Sequence, residues 1–101
     1  MQWFWTWGGK CFGYREGDDL WTYTGYHVGH FHGDEVYSVA DGRYVGEIRN
    51  RNRLITNRSK INRRKAPRLR KGNRPAYVPY VNYVGYVMYV GYEDFPDPHQ
   101  A

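Results

Sequence analysis

The chain repeats itself, and the repeat governs how every other residue is read. "FWTWGGKCFGYR" from Phe4, "LWTYTGYHVGHF" from Leu20, "VYSVADGRYVGEI" from Val36 and "LITNRSKINRRK" from Leu54 align with one small insertion in the third, their starts 16, 16 and 18 residues apart. Phe4, Leu20, Val36 and Leu54 form an apolar column, Trp5, Trp21, Tyr37 and Ile55 the next, and Thr6, Thr22, Ser38 and Thr56 a hydroxyl column. This is strand composition. A turn column of Gly9, Gly25, Gly42 and Ser59 follows, then a second apolar column of Phe12, Val28 and Val45, where the fourth unit has Asn62. With "EGDD", "HGDE" and "NRNR" as turns between units, each unit reads as strand, turn, strand, turn. The fourth loses its second strand to charge, as a terminal repeat facing solvent does.

A second periodicity occupies the C-terminal part. From Tyr77 every third residue is Tyr (Tyr80, Tyr83, Tyr86, Tyr89, Tyr92), and Val78, Val81, Val84, Val87 and Val90 follow them. A strand would scatter this pattern over both faces. An α-helix would rotate the row by about 60° per repeat, and Pro79, Gly85 and Gly91 oppose it. Three residues per turn is polyproline-II geometry, which sorts the stretch into a valine row, a tyrosine row and a mixed row of Pro79, Asn82, Gly85, Met88 and Gly91. The valines are expected to lie in a groove, within the chain or between chains.

"VYSVADGRYVGEI" and "YHVGHF", together with the period-three tail, resemble the four-fold β-flower family of small bacterial proteins. The resemblance covers nearly the whole chain and implies a pseudo-four-fold β fold with no assigned activity. This sequence departs from the family by placing Tyr where the family tail is usually Lys-rich. The expected organisation is all-β: a domain of four short hairpin-like units in pseudo-four-fold arrangement over residues 1–65, a basic linker over 66–76, and an extended tail, polyproline-II-like or strand, over 77–101.

Charge is divided unevenly. Residues 1–47 carry three basic and seven acidic side chains, whereas residues 49–74 carry twelve basic and none acidic. These twelve, Arg49, Arg51, Arg53, Arg58, Lys60, Arg63, Arg64, Lys65, Arg68, Arg70, Lys71 and Arg74, interleaved with Asn, are the candidate contacts for nucleic acid or another polyanion. Single strands suit such a segment, because the flanking aromatics can stack on bases.

Catalytic chemistry finds little support. Cys11 is alone, so no intrachain disulfide forms, and the serines sit in structural columns. The glycines of the first unit precede no helix that could hold a phosphate. His30 and His32, with Asp34, are the candidates for a metal, but their columns hold Tyr14, Glu47, Glu16 and Arg49 elsewhere, which argues against ligation. No cofactor, small-molecule substrate or membrane span is expected, and the N-terminus lacks a basic leader, so a cytoplasmic location is the default. The functional expectation is a non-catalytic, self-associating structural or scaffold subunit, a homo-oligomer whose contacts come from aromatic faces and the residues Tyr77–Tyr92. The alternative is the polyanion-binding module.

Overall fold

The computed structural model describes residues 1–98; residues 99–101 of the tail region 77–101 lie outside the described residues. The fold of the described residues is all-β, with a 3-10 turn at Arg58–Lys60. β1 (Gln2–Thr6), β2 (Cys11–Glu16), β3 (Asp19–Thr22), β4 (His27–His32), β5 (Glu35–Ser38), β6 (Tyr44–Arg49) and β7 (Arg53–Asn57) form an antiparallel meander. Parallel pairing of Trp5 with Arg53 and Thr6 with Leu54 closes it into a seven-stranded barrel. β8 (Tyr92–Asp94) adds to the rest of the β7 edge, opposing Ile55–Asn57. No helix among the described residues is long and apolar enough to cross a membrane.

The columns read from the sequence have structural meaning. Phe4, Leu20, Val36 and Leu54 are completely buried and pack with Phe12, Val28, Val45, Phe31 and Phe95 in the core. The register shifts between Phe4 and Trp5, Leu20 and Trp21, and Val36 and Tyr37, so the same two columns carry a β-bulge in each of the first three units. That bulge re-aims Trp5, Trp21 and Tyr37 away from the core. They are nevertheless buried, and what covers them is the segment that follows the fourth unit, from Lys65 to Tyr83.

In the fourth unit no second strand forms, and Asn62 and Arg63 are exposed. β8 supplies the partner of β7 instead. Ile55 opposes Asp94 as Trp5 opposes Cys11 and Trp21 opposes His27, which sets Phe95 where Phe12 and Val28 stand in their own units. Phe95 is buried edge-on against Phe12 at 5.1 Å between ring centroids. Asp94 fastens the junction, its carboxylate accepting the N–H groups of Trp7 and Gly8 at 2.9 and 3.0 Å.

Candidate assembly surface

Between the 3-10 turn and β8 the chain runs as a strap across the outside of the barrel, with no helix or strand over residues 65–89. Three turn glycines receive it. Lys65, Arg74 and Tyr83 donate their N–H groups to the carbonyls of Gly42, Gly25 and Gly9 at 2.8, 2.8 and 2.7 Å. These strap residues are nine apart, three turns of a three-residue helix. The three glycines have φ of 76°, 93° and 95°. A Cβ on any of them would collide with the carbonyl oxygen of the strap residue it holds. Glycine is required there twice over, for conformation and for approach.

The same three strap residues cover the outward-turned aromatic column. The Lys65 ammonium lies over the Tyr37 ring at 5.7 Å, the Arg74 guanidinium over Trp21 at 3.9 Å, and Tyr83 stacks on Trp5 at 3.9 Å with 13° between planes. A cation and a phenol ring are alternative ways to use an aromatic face. Intervening members of the row behave alike. The Lys71 N–H donates to His27 Nδ1 and its ammonium pairs with Asp19 at 2.6 Å. Tyr77 and Tyr80 meet Trp3 edge-on, and Tyr86 and Tyr89 pack on Trp7 at 4.8 and 5.2 Å. The inward row thus begins at Lys65, passes through Lys71 and Arg74, and continues as tyrosine, while Arg68 at the matching spacing is exposed.

The two remaining rows divide the other work. In the mixed row Asn82 Oδ1 accepts the Cys11 N–H at 3.1 Å, and Gly85 lies against the Gly8 backbone. In the valine row the carbonyls face the barrel, Val81 O taking the Trp5 indole N–H at 2.9 Å and Val87 O that of Trp7 at 3.0 Å. Arg53, buried under the strap, donates from Nη2 to Val84 O at 2.8 Å and from Nη1 to Trp7 O at 3.1 Å. The valine side chains point away. Val78, Val81, Val84, Val87 and Val90 are 81–102% exposed, whereas Tyr77 through Tyr89 are 42–55% exposed. Within the chain this reverses the expectation that valines dock. Trp3, Trp5 and Trp7 offer broad faces and indole donors, and a tyrosine ring buries more area on them than a valine can.

The twelve basic residues fare unequally. Arg49, Arg53, Lys65, Arg70 and Arg74 lie over rings, and Lys60, Arg63, Lys71 and Arg74 pair with Glu35, Glu47, Asp19 or Glu16. Arg51, Arg58, Arg64 and Arg68 are exposed, their side chains without hydrogen-bond, ion-pair or ring partners among the described residues.

The histidines line the docking path of the strap. His27 is buried between the Trp21 ring and the strap, with Nε2 2.9 Å from Asp19 Oδ1. Since Nδ1 accepts from Lys71, Nε2 carries the proton. Burial lowers the His27 pKa, against the pull of Asp19. Burial also pushes Asp19 upward, but its bonds to Lys71 and His27 outweigh that and hold it low. His30 is fully buried 4.8 Å from the His32 ring, both its nitrogens unpaired, and burial followed by the nearby Arg68 charge lowers its pKa to about 4. Among the described residues no three His, Cys, Asp or Glu side chains are grouped to hold a metal ion. A cleft of about 480 Å³ lies between Lys10, Thr24, Phe95 and Asp97. Among the described residues the buried unpaired side-chain polar atoms lie elsewhere, on Trp21, His30, His32 and Arg49, so no stranded side chain described in its wall calls for a ligand.

Comparison with protein-family models, curated proteins and solved structures finds no match to this chain. Several site residues escaped the reading of the sequence. Arg53 looked like one basic residue among twelve, Cys11 like a lone thiol without a partner, and His27 carried no signal of its own. The signal that could have placed them is the continuation of the three-residue spacing backward from Tyr77 through Arg74, Lys71 and Arg68 to Lys65.

Proposed function

We propose that the protein is a non-catalytic structural subunit that associates with copies of itself through the outer valine row of its strap. The supporting observation is the row itself, five valines 81–102% exposed and in line on a segment the barrel holds by its backbone. Contiguous exposed apolar side chains on an ordered scaffold mark interaction surfaces, and interface cores are built from such groups. The tyrosine rings pack on tryptophans of their own chain, which leaves the valines as the most exposed apolar row of the tail.

A pseudo-four-fold arrangement and kinship with the four-fold β-flower proteins belong to the same reading. The recurrent bulge, the three turn glycines of like φ and the nine-residue spacing of the strap contacts support it.

Sedimentation of the full chain over a range of concentrations tests association. The wild-type mass is expected to rise with concentration, and Val81→Asp/Val84→Asp/Val87→Asp to remain a monomer with its strap still docked. A wild-type chain that stays monomeric throughout overturns the reading. The alternative, polyanion binding, is favoured by the four exposed arginines without partners. It predicts binding to single-stranded nucleic acid that weakens with salt by about 0.7 in log–log slope for each phosphate contact.

A further inference from the structure

We infer that the strap tyrosines Tyr77, Tyr80, Tyr83, Tyr86 and Tyr89 are an oxidative modification site at which copies of the chain become joined through dityrosine. The barrel tyrosines are placed differently. Tyr14, Tyr37 and Tyr44 are at most 2% exposed, and the hydroxyls of Tyr37 and Tyr44 donate to Glu35 and Glu47. The five strap phenols are 42–55% exposed, and their hydroxyls have no hydrogen-bond partner among the described residues. Their rings are held in place by Trp3, Trp5 and Trp7. A phenol that loses an electron must also lose its proton, and these hydroxyls stand where water can take it.

The balance is simple. Hydrogen peroxide acting through a haem peroxidase removes one electron from each of two phenols, and each hydroxyl proton leaves to water. The two phenoxyl radicals join at ring carbons ortho to oxygen, and the hydrogen on each joined carbon moves to its oxygen, restoring two phenols. One peroxide takes up two electrons and two protons and becomes two waters.

Geometry favours partners on different chains. Tyrosines three residues apart in an extended three-fold helix are separated by about 9 Å along the axis, too far for ring carbons to bond while both rings stay on their tryptophans. Tyr89 does meet Tyr92 at 5.8 Å between ring centroids, and a link between those two would show as dityrosine without added covalent mass. The inference rests on the structural-subunit reading only for what brings a second copy close.

The test treats the full chain with a haem peroxidase and hydrogen peroxide, follows dityrosine emission and covalent mass, and maps the joined peptides. Wild type is expected to give covalent dimers and larger species linked through the five strap tyrosines. Replacing all five by Phe should abolish the emission while the buried Cys11 thiol stays unreactive, reporting a docked strap. Links in wild type that map only to tyrosines outside the strap overturn the inference, and so does a docked Phe variant that cross-links like wild type. If the Phe variant exposes Cys11, the wild-type map alone decides. Mass without peroxide separates the two ideas: a monomer with strap-mapped links removes only the valine-row reading, and an assembly without them removes only this one.

Discussion

Valine occupies two kinds of position in this chain, and its surroundings decide what each is worth. Val28 and Val45 are 1–2% exposed in the core, whereas Val84 is 85% exposed. Val28→Ala or Val45→Ala is expected to cost about 1–3 kcal/mol in denaturant unfolding, and Val84→Ala less than about 0.5 kcal/mol. Core valines were legible because they fall in a repeat column. The direction of the outer row was not, since spacing defines three rows without saying which one faces inward. Histidine offers a second test at this scale. With the folded His30 pKa at about 4 against 6.5 unperturbed, the unfolded chain binds the proton first as pH falls. The stability that neutral His30 provides is complete above about 6.5 and is lost progressively down to about 4; His27 acts in the same sense. Stability should therefore decline over that range, and His30→Gln should flatten the decline. An unchanged slope in the variant would mean that His30 is not a source of it.

The strap is an element made by repetition rather than by its own hydrogen bonds. Over residues 65–89 it lies in no helix or strand, so it persists because the N–H groups of Lys65, Lys71, Arg74, Tyr77, Tyr83 and Tyr86 find barrel acceptors and most of the inward side chains find a ring. Its three-row geometry was legible from the tyrosine spacing. Its true beginning at Lys65 was hidden by a change of chemistry, because Lys and Arg cover Tyr37 and Trp21 by charge while Tyr covers Trp5 by stacking. Gly25→Ala tests the attachment. It places a Cβ against the Arg74 carbonyl at a φ of 93°, and is expected to speed hydrogen exchange at the Arg74 and Lys71 amides while Tyr83 stays protected. Gly17→Ala is the matched control, with φ of 61° and nothing near the added methyl. If the two variants exchange alike, backbone strain rather than strap contact explains the result.

At the scale of the molecule, closure depends on residues that lie far apart in the chain. The charged second half of the fourth unit reads as a solvent-facing terminal repeat, and residues 61–64 form no strand, their backbone meeting the barrel through a bridge between Arg64 and Arg43 and the Tyr44 N–H bond to Arg63 O. What the repeat could not reveal is that β8 would arrive from the end of the strap to pair with β7 and deliver Phe95 to the core. A lone apolar residue after "YED" shows no periodicity, yet Gly46 is closely fitted to it, since a Cβ there would strike the Phe95 ring. Strap and barrel consequently share one core, which Phe95 joins from the strap's end. Phe95→Ala is expected to lose about 3–5 kcal/mol of stability, the cost of an emptied aromatic site. The loss should be uneven. Amides at Tyr83, Tyr86 and Tyr92 should exchange faster, because the strap end is no longer held, whereas those at Lys65, Lys71 and Arg74 keep their barrel acceptors and their protection. Uniform acceleration at both ends would show that the strap leaves the barrel as a whole, and no acceleration at the Tyr end would show that Asp94, bonded to Trp7 and Gly8, holds β8 without the ring.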